Sequence, residues 1–214
     1  MTPDQGAAAQ ALPTWNLGDL YAGPEAPEVE RDLKDAGTKA AAFRQQYEGK
    51  LASLGGADFL AALLAYERIQ EKLGRVMSYA QLLYAGDMSN PEYGRFQQNI
   101  NERATQISLE TLFFTLEINK LSDSDMDAKL AHAPLRRYKP WLDNVRAFRP
   151  HQLPDDLEKM LHERDVVGRQ AWMRLFDETM ADLRFEIEGK KLTSNEALNL
   201  LYEQDGAKRK AAAD

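Results

Sequence analysis

The chain has 214 residues, 43% of them hydrophobic and 29% charged, with a formal net charge of −7 and no cysteine. This is the composition of a soluble globular protein with one sizeable domain or two small ones. It excludes disulfides, iron–sulfur clusters and thiolate zinc sites, and the acidic balance argues against broad binding of nucleic acid or anionic membrane.

The N-terminus lacks the basic and apolar regions of a secretory signal. No apolar run approaches the ~20 residues that cross a bilayer, so the expected location is the cytoplasm. Residues 1–11 are small and polar without a period and read as a disordered tail. Leu12 to Tyr21 is rich in large apolar groups but broken by Pro13 and Gly18, the pattern of an irregular strap docked on a core.

Helical periodicity starts near Ala26. Val29, Leu33, Ala36, Ala40, Phe43 and Tyr47 recur at spacings of three and four and share one helical face. Gly55-Gly56 marks a break, after which Asp58 is a candidate cap. The next stripe runs through Phe59, Leu60, Leu63, Leu64, Leu73, Val76, Met77, Ala80 and Leu83 and predicts a long helix ending near Gly86-Asp87. Glu71 and Arg75 form a favourable i,i+4 pair on it. Ser89-Asn90-Pro91-Glu92 then signals a helix start, with either Ser89 or Asn90 as cap. Phe96, Ile100, Ile107, Leu112, Phe113 and Leu116 extend that helix toward Lys120. Three long helices joined by short breaks imply antiparallel neighbours.

A short helix is expected over residues 122–134, capped by Ser122 or Asp123. Another follows over residues 135–148, with Pro140 in or near its first turn. Pro150 and Pro154 bracket a corner. Leu157, Met160 and Leu161 predict a helix up to Gly168, and Ala171, Trp172, Leu175, Phe176, Thr179 and Leu183 predict the next. Leu183, Phe185 and Ile187 alternate with charged residues, a strand signal, and Gly189-Lys190 turns the chain back toward Leu192. Thr193-x-x-Glu196 is a capping box, and Ala207 to Asp214 is again helix-forming. The fold class is therefore mainly α, an antiparallel multi-helix bundle with one short β-hairpin near residues 183–192.

The chemistry-bearing residues do not complete a site. A zinc-peptidase His-Glu-x-x-His motif needs two histidines one helical turn apart to face one metal, with the glutamate activating the bound water. His162-Glu163 begins that motif, but Val166 stands where the second histidine belongs, so both read as solvated helix residues. Lys129, Phe148 and Lys159 precede His132, His151 and His162 by three, which removes a di-iron reading. Asp123-Ser124-Asp125-Met126-Asp127 imitates the start of a calcium loop, yet Ala128 replaces its glycine and Pro134 its final glutamate. Lys208-Arg209-Lys210 reads as a solvated face. Tyr79, Tyr84, Phe113, Phe114, Trp141 and Trp172 read as core or groove wall. No catalytic, cofactor-binding or metal-binding residue is assigned in the chain.

Several motifs in order nevertheless resemble one family. They are Pro13-x-Trp15-x-Leu17-x-Asp19-Leu20-Tyr21, Ser78-Tyr79-Ala80-x-Leu82, Phe113-Phe114-x-Leu116-Glu117 and Arg149-Pro150-His151-Gln152-Leu153-Pro154. Leu157 to Leu161, Ala171-Trp172-x-Arg174-Leu175-Phe176-Asp177-Glu178, Leu183-x-Phe185 and Leu192-Thr193-x-x-Glu196-Ala197-Leu198-x-Leu200-Leu201 follow. From Leu12 onward the chain is similar to the N-terminal region of the oligoendopeptidase F family, thimet-oligopeptidase-like zinc metallopeptidases. Pro154, where the family commonly has a serine, and Gly206, where an arginine often follows the aspartate, depart from it.

The resemblance implies a non-catalytic N-terminal region that helps wall the substrate channel of a zinc-dependent oligoendopeptidase. Zinc, the His-Glu-x-x-His motif and the oligopeptide substrate then belong to a parent protein, and the partner of this region is that protein's C-terminal catalytic domain. Residues 12–120 are expected as an N-terminal helical bundle and 121–214 as a second helical part with the hairpin, ending before the catalytic domain. A stand-alone helical binding module is the alternative.

Overall fold

A computed structural model describes residues 15–214; the expected tail at residues 1–11 and the first three residues of the strap lie outside the described residues. Helix α1 spans Pro27–Tyr47, with Pro27 in its first turn and Glu28 and Glu30 facing the helix's positive end. All six apolar positions marked by its periodicity are buried. Helix α2 spans Gly56–Gly86 and α3 spans Pro91–Leu109. Tyr21 and Lys72 meet near the start of α1, while Phe43 meets Tyr66 near its end. Gln97 meets Gln81, and Thr111, just past α3, meets Gln70. Both pairs of neighbours are thus antiparallel, as their short connections require.

The connections have identifiable anchors. Asn90 caps α3, its side chain accepting the Glu92 amide at 2.9 Å, with Pro91 as the first helical residue. The cap of α2 differs from expectation: the helix starts two residues before Asp58, with Gly55 at the cap and no side-chain hydrogen bond. Gly56 is required there by packing. A Cβ at this position would lie 2.5 Å from the His132 Cβ and 2.6 Å from the Lys129 carbonyl oxygen. Met77, placed by the sequence in the α2 stripe, is instead exposed, and Ala62, Ile69, Tyr79 and Tyr84 complete the buried face. Glu71–Arg75 is not the pairing that forms. Arg75 donates to the Leu20 carbonyl at 2.6 Å and lies over the Tyr21 ring, so it fastens the strap.

The helix expected to run to Lys120 is broken. Helix α3 ends at Leu109, and α4 runs over Leu112–Lys120. The buried Thr111 forms the joint, its hydroxyl donating to the Ser108 carbonyl at 3.0 Å. The bend turns Phe113 and Phe114 into an aromatic cluster. Phe114 is fully buried, 4.8 Å from the Tyr66 ring, 5.3 Å from Phe43 and 6.5 Å from Trp141.

Helix α5 covers Asp123–Leu130, capped by Ser122, which accepts the Asp125 amide at 3.0 Å. A 3-10 segment at Ala133–Tyr138 leads into α6, Lys139–Ala147, with Pro140 in its first turn. Leu135, Tyr138 and Leu142 join the same hydrophobic core as α1 to α4.

After a 3-10 turn at Arg149–His151 the chain forms α7, Asp155–Arg164, and α8, Arg169–Asp182. A two-stranded antiparallel sheet follows, β1 at Phe185–Ile187 and β2 at Lys190–Leu192, with Glu186 opposite Lys191. Its turn is Glu188-Gly189, one residue earlier than expected. Both residues adopt positive φ, 51° and 76°, the conformation that a two-residue hairpin loop demands. Helix α9, Ser194–Leu200, packs on both strands. Its capping box is complete: Thr193 Oγ1 accepts the Glu196 amide at 3.3 Å, and Glu196 accepts the Thr193 amide at 2.8 Å. Helix α10, Gly206–Ala213, is capped by Asp205. The architecture is mainly α, an antiparallel bundle plus this hairpin. No helix of the described residues is long and apolar enough to cross a membrane.

Candidate functional site

The three histidines stand on different elements. His132 packs at the end of α5 against Gly56, and His151 is exposed after α6. His162 lies on α7 but is not a fully solvated residue. It is half-buried, and its Nε2 is enclosed with no hydrogen-bond partner among the described residues. Its neighbour Glu163 is exposed, whereas Val166, at the position of a second histidine, is buried. Among the described residues, no three His, Asp or Glu side chains are grouped so as to hold a metal.

The acidic run at the start of α5 serves the fold. Asp123 pairs with Arg146 and with Arg149, the latter at 3.0 Å, and these guanidinium groups hold its carboxyl below the usual range. Arg146 also donates to the Ile118 and Leu121 carbonyls at 2.9 and 3.0 Å, satisfying the exposed end of α4. Lys129, read from sequence only as a failed metal-site neighbour, is among the most buried charges. Its ammonium donates to the Leu54 carbonyl at 2.7 Å and the Ala52 carbonyl at 3.2 Å, and burial pushes its pKa down against the opposing pull of Asp125. Glu117 closes the motif Phe113-Phe114-x-Leu116-Glu117. It accepts the Gly49 amide at 2.6 Å and the Leu51 amide at 3.3 Å, tying α4 to the α1–α2 connection. No local spacing announces either contact, because the partners lie 66 to 77 residues away.

Exposed large apolar side chains concentrate on α7, α8 and the hairpin. Trp172 is 72% exposed and Phe176 64%; Leu175, Met180, Leu183 and Phe185 are exposed as well. Trp172, grouped by sequence with the core aromatics, is therefore a surface residue. No residue of α7 or α8 is buried. On α8 the residues at 172, 175, 176 and 179 share one face, so the periodic stripe exists but has no partner among the described residues. Polar contacts hold α8 from its other side: Arg174 donates to Gln98 of α3 at 2.6 Å, and Glu178 comes close to Gly94. Large apolar patches of this kind mark surfaces that meet another protein surface. Here the geometry offers a docking face.

A family model described as oligopeptidase F matches residues 117–185, the segment from α4 to the first strand. Oligopeptidase PepF of Bacillus subtilis is 27% identical over 99% of this chain, and an oligoendopeptidase F homolog of Borreliella burgdorferi is 27% identical over 92% of it. The chain resembles the N-terminal region of the oligopeptidase F family. The fold agrees. The crystal structure of oligoendopeptidase-F from Enterococcus faecium superposes with a TM-score of 0.69 over 87% of this chain, at 23% identity. The chain spans about a third of each relative's length, namely 32% and 33% of the two sequences and 35% of the solved chain. Pro154, one of the two departures from the family pattern, has a visible local consequence. It caps α7 without a side-chain bond, and Glu158 instead accepts the Leu153 amide at 2.8 Å.

Proposed function

We propose that this chain is the N-terminal, non-catalytic region of a zinc-dependent oligoendopeptidase, a cytoplasmic hydrolase that cuts internal bonds of short peptides. The bare apolar face of α7, α8 and the hairpin carries this reading, in a chain that matches about a third of its relatives' length. In it, α1 to α6 form a rigid block, and the face packs against the catalytic domain. The helical surfaces help wall a channel that admits oligopeptides. Residues 12–120 and 121–214 are the two helical units of that wall. Zinc has no ligand set among the described residues. The metal, which would activate the attacking water, is assigned in this reading to the catalytic domain, and no residue here is given a proton to move.

The test is direct. The purified 214-residue chain is expected to bind no stoichiometric zinc by elemental analysis and to leave an internally quenched oligopeptide uncut. Chelator-sensitive turnover that co-purifies with the chain would overturn the reading.

A further inference from the structure

A groove of about 490 Å³ runs along the middle of α2. Leu63, Tyr66, Glu67 and Glu71, at spacings of three and four, share the helical face that forms one wall. Tyr138 and Trp141, where the 3-10 segment passes into α6, form the other. Tyr66 and Trp141 are half-buried neighbours with ring centroids 5.9 Å apart, and Tyr138 is only 9% exposed. The size is that of a small-molecule site.

The groove carries charge of one sign. Glu67 and Glu71 are exposed, and like charges one turn apart oppose each other on a helix. Neither forms an ion pair among the described residues, because the cations beside them are engaged elsewhere: Lys72 pairs with Asp32 and Asp35, and Arg75 holds the strap. Tyr138 donates to Oε2 of Glu67 at 2.9 Å, which fixes that carboxylate beside the rings and leaves its Oε1 to accept from a ligand. Aromatic faces attract cations. Arg137, which is not part of the groove wall, already lies over the Tyr138 ring at 4.7 Å from its centroid.

The lining selects the ligand class. An anion is repelled, and a neutral apolar molecule leaves the carboxylates uncompensated. A metal ion would find only two carboxylates, since no group of three ligands forms among the described residues. A primary alkylammonium meets every part: N–H donors for Glu67 and Glu71, a positive charge beside the rings, and an apolar chain for Leu63 and Trp141. Leu63 and Glu71 stand about 12 Å apart along the helix axis, room for a chain of about five carbons.

We propose that this groove binds a free primary alkylamine in its ammonium form, the head group at Glu67 and Glu71 and the chain along Tyr66, Trp141 and Leu63. The site shares no residue with the bare face of α7 and α8 and does not rest on the peptidase reading.

n-Pentylammonium chloride, titrated into the ¹⁵N-labelled chain to ~50 mM at constant ionic strength, the range expected for so small a ligand, tests it. Saturable shifts are expected at the Trp141 indole N–H and at the backbone amides of Glu67 and Glu71. n-Pentanol, ammonium chloride and n-pentyltrimethylammonium lack the charge, the chain and the N–H donors in turn, and each should bind roughly fivefold more weakly or less tightly still. Glu71→Gln should weaken binding roughly threefold. Glu67→Gln with Glu71→Gln should abolish saturation while the fold is kept, because an amide oxygen at position 67 still accepts the Tyr138 hydroxyl. Absence of saturable shifts, equal binding of any of the three comparison compounds, or undiminished binding by the double variant would each overturn the proposal.

Discussion

The block from Tyr21 to Leu142 and the arm from Phe148 onward are written in the same helical grammar but end in opposite states. In the block, apolar stripes face one another and disappear from solvent. In the arm, only Val166 and Ala197 are buried among the apolar residues, and all the exposed large apolar side chains except Trp15 and Met77 lie there. An amphipathic period states that a face will be covered, not by what. The block finds its cover within the chain, through the short turns that fold α1, α2 and α3 on one another. The arm touches the block by limited contacts, such as Arg174 with Gln98 and Lys120 with Asp155, and keeps its own stripe outward.

The sharpest way to break this comparison is to truncate one aromatic ring in each region. Phe114 is fully buried between Phe43, Tyr66 and Trp141. Phe114→Ala removes transfer energy and leaves a cavity, a loss of about 3–5 kcal/mol. Phe176→Ala, at a side chain 64% exposed, should change stability by less than ~0.5 kcal/mol. Urea unfolding of the two variants measures both. A comparable loss at Phe176 would show that the face is covered after all, for example by a second copy of the chain.

A smaller effect probes how the block holds its strap. Tyr21 donates to Asp32 at 2.9 Å, and Lys72 donates to the same carboxylate at 3.3 Å. Burial favours protonated Asp32, but the Tyr21 and Lys72 hydrogen bonds outweigh it and hold the pKa low. Burial first, and the bond to Asp32 second, push Tyr21 up to about 12. The signs follow from proton counting. Asp32 binds its proton less readily when folded. Its contribution is therefore complete above the ordinary carboxylate pKa of about 4 and is lost as pH falls through the lower folded value. Tyr21 keeps its proton longer when folded, so its contribution is complete below about 10 and lost as pH rises through about 12. Asp32→Asn should cost about 1–2 kcal/mol at neutral pH, and its difference from wild type should close only in acid. Tyr21→Phe should remove the alkaline loss. A difference independent of pH at both ends would contradict the assigned pairing.

How much of this was legible beforehand varied by kind of signal. Caps were readable because their chemistry is local: Thr193 was named from spacing, and Ser122 and Asn90 were each one of two choices. The break at Thr111 was not, because no glycine or proline marks it. A side-chain bond and the pull of Phe113 and Phe114 toward distant rings decide it. Asp58 lost the cap of α2 for a similar reason, since Gly56 is fixed by the approach of Lys129 and His132 from more than 70 residues away. The His162-Glu163 pair was set aside on the identity of Val166, whereas the half-buried imidazole, read from sequence as solvated, could only be seen in three dimensions. The bare stripe of Trp172 and Phe176 was legible as a period, but that it stays exposed was not.

The smallest effect tests whether the arm unfolds on its own. Thr193→Ala removes the acceptor for the Glu196 amide and the hydroxyl that binds the Glu196 carboxylate. Loss of such a cap costs about 1 kcal/mol. Helix α9 covers the two-stranded sheet, and a lone hairpin is marginal in water. The loss should therefore appear in amide exchange of Ile187, Leu192 and Ala197, quickening by roughly fivefold, while the block's amides and the main unfolding midpoint stay unchanged. If the block's amides quicken in step, the arm and the block form one cooperative unit. The exposed face would then be held more firmly than its few polar contacts with α3 and α4 suggest.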